Sequence, residues 1–274
     1  MRTIVHLSDL HFGRVDAALI TPLRDLIHQI APTVVVVSGD LTQRARTAEF
    51  EAARRFLDTL AAPQIVVPGN HDISLHNPFD RFVRPLAKFR RHISSDPEPF
   101  YRDDEVAIAG INTARSLTIK DGRISHQQMV NVKARFAQLP AAIVRVVVTH
   151  HPFDLPGQYH RGELVGRASA ALATFADCGA DLLLAGHLHA SHASTTAARY
   201  PIGGYAALAV QAGTATSTRG RGESNSFNVL RVEAARIVVE RHAWDPQTSR
   251  FDHVGSEHFA RQAERWVLAS AASD

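Results

Sequence analysis

Hydrophobic positions along the chain follow two textures. Up to about residue 185, short apolar runs alternate with segments of helical spacing; beyond residue 190, apolar and polar residues alternate at a period of two. Residues 3–7 are apolar and β-branched. Residues 17–30 carry Leu19, Leu23, Leu26, Ile27 and Ile30 at helical spacing, and residues 34–37 are four valines leading into Ser38-Gly39-Asp40. This is a βαβ unit, and its unbroken apolar strands predict a parallel sheet covered on both faces. The alternation continues through helix 47–60, strand 64–67, a polar, Pro-rich excursion to Pro99, strand 106–111, helix 125–139, strand 144–149, helix 168–177 and strand 181–185. Segments 191–196, 205–211, 227–232 and 236–244 read as antiparallel strands. The pattern predicts an α/β fold of two sheets flanked by helices, the first part parallel and the last part meandering. Residues 254–268, with Phe259, Trp266 and Val267, predict an amphipathic helix. It would lie in a C-terminal tail, 245–274, packed on the 1–244 body or on a partner, which leaves a homo-oligomer open.

Composition narrows the class. With 274 residues, 45% hydrophobic and 21% charged, the chain is of globular type, and disordered, collagenous and coiled-coil classes are excluded. Its net charge of +3, from 30 Lys and Arg against 27 Asp and Glu, is a scattered excess of Arg. No nucleic-acid polymer is therefore expected as a partner. The longest uncharged stretch, 200–218, is rich in Gly, Thr, Ser and Gln and does not read as a membrane span. Residues 1–9 enter a strand without the apolar core of a secretory leader, so a cytoplasmic location is expected. A lone Cys178 stands beside 16 histidines. It can form no intrachain bridge, and any metal site must be built from imidazole and oxygen.

Five short motifs fall at the C-terminal ends of predicted strands, the edge where open α/β sheets place their sites. They are Asp9-Leu10-His11, Gly39-Asp40, Gly69-Asn70-His71-Asp72, His150-His151-Pro152 and Gly186-His187-Leu188-His189. Each is weak alone, since an isolated His is usually a satisfied core or surface residue and an Asp after a strand is often a helix cap. Together they bring carboxyl, carboxamide and imidazole groups to one edge, a donor set for two divalent cations such as Mn, Fe or Zn. In Asp9-Leu10-His11 and His187-Leu188-His189 the paired donors are two residues apart, so an extended backbone is expected to point both the same way.

In these five motifs, in their order and over residues 4 to about 215, the sequence resembles the calcineurin-like metallophosphoesterase family. The resemblance implies a four-layer α/β/β/α sandwich with two central mixed sheets. It implies that Asp9, His11 and His189 hold one metal, that Asn70, His150 and His187 hold the other, and that Asp40 bridges them, with Mn and Fe favoured. His71 would be the catalytic imidazole that is not a ligand, and Asp72 the partner fixing its orientation. His150 is the better ligand of the adjacent pair; His151 is expected to face solvent or to orient the turn. Two such cations, roughly 3.5–4 Å apart, would generate a hydroxide for in-line attack on a phosphoryl centre. His71 would then protonate the leaving group.

The motif spelling is similar to the bacterial class III cyclic nucleotide phosphodiesterase branch, which includes broad-specificity enzymes for small phosphodiesters. UDP-diacylglucosamine pyrophosphatases of the same scaffold typically carry Arg where this chain has His71. A catalytically silent scaffold is the alternative outside enzymes, although no ligand position is missing. Arg115, at the end of strand 106–111, is a candidate contact for a phosphate oxygen, and His151 and Tyr159 are further candidates for the substrate side. In residues 77–92, Phe82, Leu86, Phe89 and Ile93 share one helical face, with Pro85 starting or kinking the helix. This basic segment packs on the body or, as the lipid-directed alternative, touches substrate or a lipid surface. Residues 219–223 read as a Gly-rich turn.

Overall fold

The computed structural model describes residues 1–75, 77–157, 159–218 and 223–269, with the backbone alone at residue 161. The turn expected at 219–223 falls, but for Glu223, outside the described residues. Elements follow in the order β1 (Arg2–Leu7), α1 (Ala17–Ile30), β2 (Val34–Ser38), α2 (Thr47–Asp58), β3 (Gln64–Val67), α3 (Pro78–Val83) and α4 (Ala87–His92). The second part runs β4 (Phe100–Arg102), β5 (Val106–Gly110), α5 (His126–Phe136), β6 (Val144–Val148), α6 (Ala168–Asp177), β7 (Leu182–Ala185), β8 (His192–Thr195) and β9 (Leu208–Gln211). It ends with β10 (Ser226–Val232), β11 (Arg236–Asp245), β12 (Arg250–Gln262) and β13 (Arg265–Leu268).

These strands form two mixed sheets, ordered β13-β12-β11-β10-β1-β2-β3 and β4-β5-β6-β7-β9-β8. The α/β fold with two central mixed sheets is as the motifs implied. The four-valine run shows how one strand serves two interfaces. Val34 and Val36 join Ile4, Val146, Val148 and Leu184 in the layer between the sheets, whereas Val35 and Val37 meet Leu19, Leu23 and Ile27 of α1. On the far side, Ala107, Ala109 and Val147 pack against Met129, Phe136, Leu172 and Phe175 of α5 and α6. The result is helices, sheet, sheet, helices, with apolar side chains on both faces of the central strands. No helix among the described residues is long and apolar enough to cross a membrane.

Three local expectations are corrected. The 254–268 segment is not a helix but lies in β12 and β13, which complete the first sheet, so the 245–274 tail is, as far as residue 268, part of the body. Its periodicity misleads because β12 is bulged. Gly255 pairs with Arg241 and His253 with His242, so Val254 has no partner in the ladder. The extra residue moves Phe251 to the α1 side and Phe259 to the layer between the sheets, breaking the period of two. Next, β9 is antiparallel to β8 as read but parallel to β7. Finally, the 77–92 segment is two short helices that reset at Pro85; Leu86, Phe89 and Ile93 are buried, while Phe82 turns outward.

Trp266 fastens the last strand to the opposite sheet. Its ring is fully buried between the sheets, and Nε1 donates to Asp181 Oδ1 at 3.1 Å. Asp181 also pairs with Arg261 and accepts the Arg145 N–H at 2.9 Å. Trp266→Ala is therefore expected to destabilise the whole body by about 3–5 kcal/mol in urea denaturation. A loss below about 1 kcal/mol would mean that the tail is peripheral.

Candidate metal centre

The parallel strands β1, β2 and β3 of one sheet, and β6 and β7 of the other, deliver their C-terminal ends to one edge. Asp9 and His11 follow β1, Asp40 follows β2, Asn70–Asp72 form a 3₁₀ turn after β3, His150 follows β6, and His187 and His189 follow β7. The paired donors converge, but not through extended backbone as expected. Asp9, His11, Asp40, His187 and His189 have φ of 53°, 46°, 51°, 74° and 59°, five of the ten described non-glycine residues in the left-handed region. Such residues cost about 1–3 kcal/mol each and cluster where surrounding structure holds them for function. Here the holding is direct: Asp9 N–H donates to Gly39 O at 3.1 Å, His11 N–H to Asp40 O at 2.9 Å and Phe12 N–H to Leu41 O at 2.8 Å. The loops also touch through glycine. Gly39 has φ of 93° and a Cβ there would lie 2.6 Å from His150 Nδ1, while a Cβ on Gly69 would overlap Asp40 Oδ1 and N.

The first cluster is Asp9, His11 and His189. Asp9 Oδ2 accepts the Ser8 hydroxyl at 2.6 Å and the His187 N–H at 3.0 Å. That orients Oδ1, which lies 3.5 Å from His11 Nε2 and 3.4 Å from His189 Nε2. Asp9 Oδ1 and His11 Nε2 are buried without a hydrogen-bond partner. Buried polar atoms in native proteins almost always have one. Donors at about 2.1 Å from a common ion lie roughly 3–3.5 Å apart, so a divalent cation fits what these atoms lack.

The second cluster meets the first at Asp40. His150 Nδ1 donates to the Ser38 carbonyl at 2.8 Å, which turns Nε2 toward Asn70 Oδ1 at 3.0 Å, His187 Nδ1 at 3.3 Å and Asp40 Oδ1 at 3.4 Å. Asp40 Oδ2 lies 3.7 Å from His11 Nε2, so one carboxylate faces both clusters. Burial would raise the Asp9 and Asp40 carboxyls, but the surrounding histidines reverse this and hold both well below the usual carboxylate range. Burial also opposes a charge on His150, yet Asp40 and then Asp9 raise it to about 9. Burial and the charge on His150 push its neighbour His187 down to about 3.

His71 belongs to neither cluster. Its ring stands edge-on to His11 at 5.0 Å between centroids, and Nδ1 donates to the Gln43 carbonyl at 2.8 Å. The buried Asp72 carboxylate accepts the N–H groups of Leu41, Thr42 and Gly69 at 3.2, 2.9 and 2.9 Å and the Thr42 hydroxyl at 2.9 Å. It thus ties the loop after β2 to the loop after β3, although burial and then the charge on Asp40 push its pKa up to about 6.

His151 is buried and does not face solvent. Nε2 donates to the Lys120 carbonyl at 2.7 Å and Nδ1 accepts from the Thr113 hydroxyl at 2.8 Å, so both nitrogens orient loops. Arg115 donates from Nη2 to the Arg123 carbonyl and to Gln128 Oε1 at 3.0 Å. Tyr159 reaches the ligand loop, its hydroxyl donating to the Leu188 carbonyl at 3.2 Å. Sequence reasoning missed Glu163, whose Oε2 lies 3.5 Å from His187 Nε2, and Thr214, whose hydroxyl bonds His189 Nδ1. Neither belongs to a motif, and only the closed fold brings them in.

Residues 2–191 match the family of calcineurin-like phosphoesterases, and the chain belongs to that family. A stretch of 108 residues, 35% of this chain, is 33% identical to the glycerophosphodiester phosphodiesterase GpdQ of Enterobacter lignolyticus (strain SCF1). It spans 36% of that protein's length. Among solved structures, the purple acid phosphatase PPD1 from yellow lupin (Lupinus luteus) seeds superposes with a TM-score of 0.72 at 13% identity, over 95% of this chain and 54% of that one. A dimetal phosphatase from Danio rerio superposes at 0.64 with 14% identity, over 95% and 99% of the two chains. At these identities the two solved structures share the fold, the two-sheet sandwich described above.

The raised pKa of His150 gives the metal-free centre a definite pH dependence. A histidine elevated in the folded state stabilises the fold fully below its ordinary 6.5 and loses that contribution as pH rises through about 9. The same proton competes with a cation for Nε2. Metal affinity is therefore expected to climb about tenfold per pH unit from pH 7 and to level off near 9, with about one proton released per second-cluster ion. Titration calorimetry of metal-free protein in buffers of different ionisation enthalpy measures both; flat affinity without proton release would contradict the assignment.

Proposed function

We propose that this protein is a dinuclear metal-dependent phosphodiesterase acting on small phosphodiesters such as cyclic nucleotides or glycerophosphodiesters. The observation that carries this reading is that Asp40 joins two buried donor clusters while His71 stands beside them and belongs to neither. The partial likeness to a glycerophosphodiester phosphodiesterase supports the diester class. Asp9, His11 and His189 would hold one cation and Asn70, His150 and His187 the other, with Asp40 shared. Oxygen and imidazole donors without thiolate suit manganese, iron or zinc, and the family resemblance favours manganese or iron among them. When bound, the pair would supply an acidified water and positive charge for the phosphoryl oxygens.

The chain's own residues supply the rest. His71, anchored through Nδ1 on the Gln43 carbonyl, presents Nε2 to exchange a proton with the departing alkoxide. Asp40 accepts the His71 N–H at 2.9 Å on Oδ1, so the shared ligand also fixes the backbone that carries the acid. Asp72 keeps the two loops in register, which holds the acid and the ligand at a constant separation. His151 and Glu163 brace the opposite wall around His187. A cytoplasmic site of action completes the reading, in line with a single free thiol, Cys178.

Supplied with Mn, the protein is expected to hydrolyse bis(p-nitrophenyl) phosphate, and Asp40→Ala to lose nearly all of that activity. His71→Ala is expected to keep its metal content and to turn over alkyl diesters about 10²–10⁴-fold more slowly, with a smaller loss on p-nitrophenyl esters, whose leaving group needs no proton. Steady-state kinetics with metal analysis of each variant decide it. A folded Asp40→Ala at the parent rate, or equal losses on aryl and alkyl diesters for His71→Ala, would overturn the mechanism.

A further inference from the structure

Two segments beside the metal centre expose apolar side chains in one place. α3 begins six residues after Asp72 and turns Phe79, Phe82 and Val83 outward, at 55%, 57% and 61% exposure. Their i, i+3, i+4 spacing is the stripe that a surface helix ordinarily buries. Next to it, Leu117 and Ile119 are 88% and 62% exposed. Arg81, buried beneath, donates from Nη2 to the carbonyl of Thr118, the residue between them, at 2.7 Å. The second segment is rooted in the site, since its Lys120 carbonyl accepts from His151. Half of the ten large exposed hydrophobics among the described residues thus lie in this patch.

Charge is concentrated there too. On α3, its C-cap and residues 115–123 the exposed charged side chains are Arg84, Lys120 and Arg123 against Asp121, while Arg81 and Arg115 are held by the Thr118 and Arg123 carbonyls. Arg84 lies over the Phe79 ring at 5.0 Å, and Lys120 is exposed beside Ile119. An apolar patch rimmed in this way marks a contact surface. A second copy related by a two-fold axis would set these cations against themselves. Three of the five apolar side chains are aliphatic and offer no stacking platform for nucleic-acid bases. An anionic bilayer meets both features, taking the apolar side chains at the acyl boundary and the cations at lipid phosphates.

We infer that the face formed by α3 and residues 115–123 seats this protein on an anionic membrane surface, with the rim of the metal centre against the lipid headgroups. The inference goes beyond the phosphodiesterase reading and does not rest on it, because binding is measured without turnover. Flotation of the full chain with vesicles of phosphatidylcholine and phosphatidylglycerol, and with phosphatidylcholine alone, tests it. The protein is expected to float with the anionic vesicles, less so at high salt. The triple variant Phe82→Ser, Leu117→Ser, Ile119→Ser and the double variant Arg84→Gln, Lys120→Gln should each weaken binding at least about tenfold. Arg236→Gln with Arg250→Gln, on β11 and β12, should leave it unchanged, and thermal melts verify that all variants are folded. No binding to anionic vesicles, an equal loss in the β11 and β12 control, or a concentration-dependent dimer dispersed by the triple variant in place of vesicle binding would overturn it.

Discussion

The structure turns on the burial of two carboxylates, Asp9 and Asp40, where two sheets meet. A carboxylate withdrawn from water is costly unless charge and hydrogen bonds replace its hydration. Each replacement here comes from a different strand end: Ser8 and the His187 backbone for Asp9, the His71 backbone and the His150 imidazole for Asp40. Compensation therefore requires that both sheets arrive at the same edge in one register. The apolar layer between them supplies that register, because Val34, Val36, Val146 and Val148 interlock just behind the polar ends. Packing and electrostatics are thus not separate contributions at this site: the valines set the spacing that makes the charges tolerable.

Left-handed backbone at five ligand positions belongs to the same constraint. A strand that ends by running straight on would carry its side chains past the seam. Reversing at Asp9, Asp40 and His187 folds the donors back toward a common point. The cost is spread over bonds between loops rather than within them, and Asp72 is the clearest case, with one carboxylate accepting from Leu41, Thr42 and Gly69. It does so directly next to His71 in the chain, the residue given the acid role.

Much of this was legible in the sequence because the signals were local. Four consecutive valines, helical spacing over residues 17–30 and donors immediately after strands each carry their meaning within fourteen residues or fewer, and the motifs define the family. The candidate site was legible as a set of residues but not as a geometry: the left-handed turns leave no signature in Asp9-Leu10-His11, and the two ring nitrogens of His151 are decided by Thr113 and Lys120. Glu163 and Thr214 were invisible for the same reason, since each acquires its neighbour only when distant segments close. The C-terminal strands were misread because a single unpaired residue, Val254, shifts the faces of β12 and counterfeits a helical stripe.

The position of β1 within its sheet has a consequence for how the protein is made. Its neighbour on one side is β2, which emerges from the ribosome almost at once, but on the other it is β10, where Arg2 pairs with Val232. Until β10 is made the nascent chain therefore carries an open strand edge next to a run of valines, and the metal-binding residues after β1 wait for His187 and His189. Such long-range closure is slow and leaves aggregation-prone surface exposed meanwhile. Assembly of the centre thus waits on segments made far apart, and the histidines that complete it are made before β9 to β13, whose Val210, Leu230, Val232 and Phe259 close the apolar layer behind them.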